Sequence, residues 1–551
     1  MHLRLVIFCS LLYVATKGVL STPLIQTQYK EDDLIVELDN LGKIRGHILQ
    51  SAEGNDFYAF QEIPYAEPPV GKLRFRPPQP HRPWEGVLNA TENKKICTQK
   101  PDPNSTEDCL VLNVYTPVKP SSNNSLPVFL WIPGGAFVTG SGSIVQYNPK
   151  LLIDYDIIVV TINYRLGAFG FLTTLDENIP GNLGLKDQHL ALQWVNDNIH
   201  KFGGDPKKIT VSGESAGSMS VGFHLLSRLS KGLFRSVIQQ SGSSISGVFY
   251  PTNDRELAFE FGKALDSSFT STESSDLLDL LQQADYSDLV ELHNRFTSGR
   301  TSGFMDALTF KPVLENELNE DAFITGPMHD AVLNGDFNLV PILIGLNSEE
   351  SLMFLLEIDS ETIEERGRLL DQSPKNLVSR SLNIDEEERE NVGRRLKEFY
   401  TNSSFTEDIN GLYKFTSDEV FSRSIIRQAE TASQYVPVYL YELSWLADNS
   451  TDIGVPHAAD LWYLWDLKIF DSNNEKLRKP ILKWWTNFVK YQNPTPDSDE
   501  DLQNVIWPKV QPNAVKYLDI DSQFTVKENP RNYYNIKALL NDYIQPPYIS
   551  Y

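Results

Sequence analysis

The tightest constraint on this chain is the stretch Val211-Ser212-Gly213-Glu214-Ser215-Ala216-Gly217. It follows a β-branched run, Lys208 to Ser212, and leads into Ser218 to Leu226, which reads as a helix. Strand, G-x-S-x-G and helix in that order put a serine on a sharp turn, with a strained backbone and an outward hydroxyl. Gly213 and Gly217 supply the room for strand and helix to pass closely. A bare G-x-S-x-G also occurs as an ordinary turn, so its meaning depends on the residues around it.

Those surroundings alternate strand and helix. Pro127 to Ile132 and Ile157 to Ile162 are continuous apolar runs, as expected of strands buried on both faces. Ser236 to Gln240, Pro341 to Gly345 and Pro437 to Tyr441 are further strands of this kind, with helical stretches at Gly184 to Phe202, Asp418 to Tyr435 and Glu475 to Tyr491. This alternation predicts an α/β fold with a large, mostly parallel central sheet covered by helices on both faces. Short strands are expected within residues 32–38 and 42–48, joined by a turn at Asp39-Asn40. Phe57 to Gly71 is followed by a proline-rich run to Pro83-Trp84, whose proline density is expected to forbid regular structure and to hold it against the surface. Asp385 to Lys397 reads as a solvent-exposed helix, acidic first and basic last, in accord with the helix dipole. A length of 551 residues would suggest several domains, but no repeat or long low-complexity linker divides the chain. Residues 22–551 are therefore read as one large domain.

Residues 1–21 read as a secretory signal, with Arg4 ahead of an apolar run from Leu5 to Ala15 that is too short to span a bilayer. No other stretch is long and apolar enough for a membrane helix, and the C-terminal residues carry neither a retention signal nor a lipid-anchor tail. A secreted, extracellular protein without a membrane anchor is expected. Of three cysteines, Cys9 leaves with the signal, and Cys97 and Cys109 remain as an even pair suited to one disulfide in an oxidising compartment. Two free buried thiols are the alternative. N-x-[ST] sequons at Asn89, Asn104, Asn123, Asn402 and Asn449 fit a glycoprotein surface. The formal charge of −24 becomes −26 once Arg4 and Lys17 are removed, a balance that repels nucleic acid and anionic membranes.

Several longer motifs accompany the serine turn: Glu107-Asp108-Cys109-Leu110, Asn163-Tyr164-Arg165-Leu166-Gly167, Gly181-Asn182-Leu183-Gly184-Leu185-Lys186-Asp187-Gln188 and Phe202-Gly203-Gly204-Asp205-Pro206. Together, and in this order, they resemble type-B carboxylesterases, the family that also includes cholinesterases, and most of all secreted carboxylesterases of insects and other animals. The resemblance implies an α/β-hydrolase fold and a Ser-His-Glu triad hydrolysing a small hydrophobic ester, with no cofactor or metal. Position in the family's motifs implies Ser215 as nucleophile, His457 as general base and Glu350 as the acid that orients it. Glu349 is the adjacent rival and would by default be solvated. Gly135, Ala136 and Ala216 are implied as the backbone donors of an oxyanion hole.

The chain departs from the family's pattern at Pro133, at Ser351 and at Asp460, where the family has respectively His or Tyr, glycine and often glutamate. Glu214 stands where juvenile hormone esterases usually carry glutamine. The segment between Cys97 and Cys109 lacks the tryptophan with which cholinesterases hold a quaternary ammonium, which argues against choline esters. A binding or adhesion protein on the same fold is the alternative from a different class, and it would be expected to have lost the nucleophile or the base. A lipase acting at interfaces is a third reading.

Overall fold

A computed structural model describes residues 34–99, 102–120, 123–249, 252–298, 308–316, 320–355, 358–446, 453–467 and 475–551. The expected signal segment, with Cys9, and Asn449 lie outside the described residues.

The strands of the large sheet are β1 (His47–Gln50), β2 (Asp56–Pro64), β3 (Val111–Thr116), β4 (Leu126–Ile132), β5 (Ile158–Ile162), β6 (Gly204–Glu214), β7 (Ser236–Gln240), β8 (Ile342–Asn347), β9 (Val438–Leu443), β10 (Lys516–Ile520) and β11 (Thr525–Glu528). Their spatial order is β11-β10-β9-β8-β7-β6-β4-β5-β3-β2-β1. From β10 across to β5 every neighbour is parallel, and antiparallel strands finish both edges. The mostly parallel sheet expected from the alternating pattern is thus present.

Both faces are covered, because side chains alternate along each strand. In β4, Val128, Leu130 and Ile132 enter one core while Phe129 and Trp131 enter the other. Helices α1 (Leu183–Asn198), α2 (Ala216–Leu226) and α3 (Arg423–Ala432) close the first face through residues such as Val195, Val221 and Ile425. Helix α4 (Glu475–Tyr491) closes the second through Trp484, Trp485 and Phe488. Trp131, Trp465, Trp484, Trp485 and Trp507 are all among the fully buried side chains, so these tryptophans fill core.

Two expectations need adjustment. The segment leading into the proline-rich run, for which no element was expected, carries β2, which runs nine residues to Pro64. Its alternation of buried and half-buried residues sustains a strand until the prolines that follow remove the ladder donors. The expected pair within 32–48 forms as Ile35–Glu37 against Lys43–Arg45, but His47 and Ile48 leave it and pair with β2 in the large sheet. The charged helix forms at Glu386–Lys397.

Candidate active site

Every element that carries a candidate residue ends on one edge of the parallel sheet. Strand β6 stops at Glu214, α2 begins at Ala216, and Ser215 alone joins them with φ 56° and ψ −124°. That conformation costs a non-glycine residue about 1–3 kcal/mol and persists only where neighbours fix it. Here the Ser215 N–H donates to the Gln240 carbonyl at 2.8 Å and its own carbonyl accepts from Met219 N–H at 2.9 Å. The flanking glycines are sterically required. A Cβ on Gly217 would lie 2.1 Å from the Ile132 carbonyl oxygen, and one on Gly213 would lie 2.5 Å from the Gly217 carbonyl carbon.

The segment after β8 carries Glu350, and the segment after β9 carries His457. The imidazole Nδ1 lies 2.6 Å from Glu350 Oε2, across 107 residues of chain. The other Glu350 oxygen accepts from Ser241 Oγ and from Asn347 N–H, both at 2.7 Å. Glu350 is completely buried and His457 nearly so. The short contact commits Nδ1 to Glu350, so Nε2 is the nitrogen turned away from that pair. Phe421 and Phe354 tilt against the imidazole with ring centroids 4.4 and 5.4 Å away.

Nε2 faces a second carboxyl, Glu214 Oε1, at 3.1 Å. Burial pushes the Glu214 carboxyl up to about 8 against the attraction of His457. Burial alone would lower His457, but the charges of Glu214 and Glu350 outweigh it and raise the imidazole to about 9. Asp460, also buried, adds to this negative field while accepting from Gln240 Nε2 and Tyr441 Oη, each at 2.8 Å. Sequence reasoning used Glu214 only to compare subgroups; its contact with the imidazole is a tertiary fact.

The turn after β4 passes beside the serine, since a Cβ on Gly134 would stand 3.2 Å from Ser215 Cβ. Gly135, Ala136 and Phe137 follow with φ of 112°, 54° and 61°. The Gly135 carbonyl turns into its own loop, accepting from the N–H groups of Val138 and Thr139 at 3.0 Å. The N–H groups of Gly135 and Ala136 donate to no protein acceptor among the described residues. Ala216 is the first residue of α2, where a helix leaves its N–H groups unpaired. Ala216 adjoins the strained serine, and Gly135 and Ala136 follow the glycine that lies beside it.

Glu349 is not solvated as expected. It is 6% exposed, accepts from Ser417 Oγ at 3.1 Å and pairs with Arg531 at 3.4 Å. The departures from the family's pattern are accommodated. The Pro133 carbonyl accepts from Tyr164 Oη at 3.0 Å, while Ser351 accommodates its hydroxyl by donating to the Tyr413 carbonyl at 2.9 Å. Cys97 and Cys109 form a disulfide, and Asn104 within its loop is exposed, as are Asn89, Asn123 and Asn402. Among the described residues no cluster of three or more His, Cys, Asp or Glu is arranged to hold a metal ion, and no helix is long and apolar enough to cross a membrane.

Residues 32–535 match the family described as "Carboxylesterase family". The chain is 31% identical to the juvenile hormone esterase of Tribolium castaneum, over 91% of this chain and 88% of that protein. It is 32% identical to the para-nitrobenzyl esterase of Bacillus subtilis, over 89% and 96%. Among solved structures it is similar to juvenile hormone esterase from Manduca sexta with OTFP covalently attached. There the TM-score is 0.80 at 27% identity, covering 92% of this chain and 99% of that one.

Proposed function

The chain belongs to the carboxylesterase family and is a serine-type hydrolase of carboxylic esters with the α/β-hydrolase fold; from that premise we propose that Ser215, His457 and Glu350 are its catalytic triad. Ser215 Oγ attacks the ester carbonyl carbon as its proton passes to His457 Nε2. The tetrahedral oxyanion is held by the N–H groups of Gly135, Ala136 and Ala216, where removal of one donor typically costs about two to three orders of magnitude in rate. Collapse expels the alcohol, which takes the proton from His457. Water then gives a proton to His457 and attacks the acyl carbonyl, and collapse releases the acid as Ser215 Oγ leaves and takes that proton back from His457. Glu350 keeps the proton on Nδ1 and stabilises the imidazolium throughout.

The observation that carries this reading is the 2.6 Å contact of His457 Nδ1 with Glu350, at the edge of the sheet from which the strained Ser215 projects. For substrate we propose a small, uncharged, hydrophobic ester. Phe354 and Phe421 give the base an apolar flank suited to such a group. We also propose secretion after removal of residues 1–21, a reading supported by the disulfide and by exposed sequons at Asn89, Asn104, Asn123 and Asn402.

The test is hydrolysis of p-nitrophenyl esters from acetate to octanoate by the wild type and by Ser215→Ala. Turnover by the wild type, with Ser215→Ala reduced by about three orders of magnitude or more, is expected. Equal rates from both proteins would remove Ser215 from the mechanism.

A further inference from the structure

Gln99 lies in the disulfide loop, two residues beyond Cys97, and outside the triad and its immediate neighbours. Its side-chain amide pairs with the backbone of Gly140 in both directions: Nε2 donates to the Gly140 carbonyl at 3.0 Å, and Oε1 accepts from the Gly140 N–H at 3.1 Å. The same Nε2 donates to the Cys97 carbonyl at 3.0 Å. Only one orientation of the amide satisfies all three contacts, so donor and acceptor are fixed by their partners. The side chain thus acts as a rung of β-ladder between two loops that share no strand.

Gly140 is where the oxyanion loop closes on itself. A Cβ there would lie 2.3 Å from the Gly134 carbonyl oxygen, so the two backbones are in direct contact. The next turn is also pinned: Gly142 N–H donates to Asn163 Oδ1 at 2.8 Å, and its carbonyl accepts from Asn113 Nδ2 at 2.9 Å. Asn163 Nδ2 in turn donates to the Cys109 carbonyl at 3.1 Å. Both half-cystines therefore anchor the returning limb of the oxyanion loop, Cys97 through Gln99 and Cys109 through Asn163.

We infer that Gln99 is a positioning residue for the oxyanion hole, holding Gly140 against Gly134 so that the Gly135 and Ala136 N–H groups are aimed before substrate arrives. This rests on the role of those N–H groups proposed above. Gln99 touches no reacting atom, and its effect is confined to charge that develops in the transition state. Displacing a group by about 1 Å can cost about 100-fold in rate, whereas ground-state binding depends on contacts that Gln99 does not make.

The test compares wild type with Gln99→Met, which keeps length and volume but loses the amide, and Gln99→Glu, whose carboxylate turns the bond to the Gly140 carbonyl into a repulsion. With p-nitrophenyl butyrate, kcat is expected to fall about 10- to 100-fold in Gln99→Met and further in Gln99→Glu, with KM changed less than about threefold. A trifluoromethyl ketone, which mimics the tetrahedral state, should lose affinity in parallel with kcat, and thermal melting should stay close to wild type. If Gln99→Met fails to fold, Gln99→Glu carries the same comparison. Unchanged kcat and ketone affinity in a folded variant would overturn the inference, as would a change in KM alone. Ser215→Ala, run alongside, separates this outcome from failure of the esterase mechanism itself, because only the latter leaves Ser215→Ala active.

Discussion

The proton inventory around His457 is set by two carboxyl groups, one on each ring nitrogen. Its Nδ1 is committed to Glu350, so the base must work through Nε2, and Nε2 faces Glu214 at 3.1 Å. A carboxylate there favours the imidazolium, the form that cannot accept the serine proton. The sign follows: His457 is raised from 6.5 to about 9, so the ascending limb of kcat/KM against pH should lie above the titration of a free imidazole. Glu214→Gln removes a charge that raises it, and the limb should move to lower pH by about one to three units. Because Glu214 and His457 titrate as a pair, the profile reports the pair and not either residue alone. A limb that stays in place in a pH–rate series on Glu214→Gln would mean that Glu214 does not govern the base. The sharp turn at Ser215 and the meeting of His457 with Glu350 could be expected from sequence because each residue sits at a fixed offset in a motif. The fate of Glu349 could not, because its burial depends on an arginine 182 residues away.

That arginine belongs to the level of elements. Arg531 stands between β11 and the helix Tyr533–Asn541 with φ 51°, flanked by Asn529 and Asn532, which are also left-handed. The strained turn drives the guanidinium among Glu349, Asp418 and Glu442 and against the Ser348 carbonyl. It thereby ties the loop after β8, which bears Glu350, to the π-helical turn Asp418–Ser422, which bears Phe421. Arg531→Met keeps bulk and removes the charge, leaving buried carboxylates without their counter-ion. A loss of about 3–5 kcal/mol is expected, read as a lower urea midpoint. An unchanged midpoint would show that the network contributes nothing to stability. Periodicity marked most of the sheet, as at Leu126–Ile132, because buried parallel strands read as unbroken apolar runs. It missed Asp56–Pro64, where nearby prolines masked a strand that pairs with its neighbours on both sides.

For the molecule as a whole, the sheet is a wall between two cores, and the candidate site lies where β4, β6, β7, β8 and β9 end together. Strand alternation in the sequence implied the sheet but not its strand order, and the electrostatic and mechanical connections across the convergence were equally hidden. They join residues far apart in sequence, such as Gln240 with Asp460 across 220 positions. The central claim is that this assembly serves one nucleophile. Its most direct test is to label the purified wild type and Ser215→Ala with a fluorophosphonate and to locate the adduct by peptide mass spectrometry. One adduct per chain, on Ser215 and absent from Ser215→Ala, is the predicted result; a folded wild type that is unlabelled, or labelled equally in the variant, would contradict it.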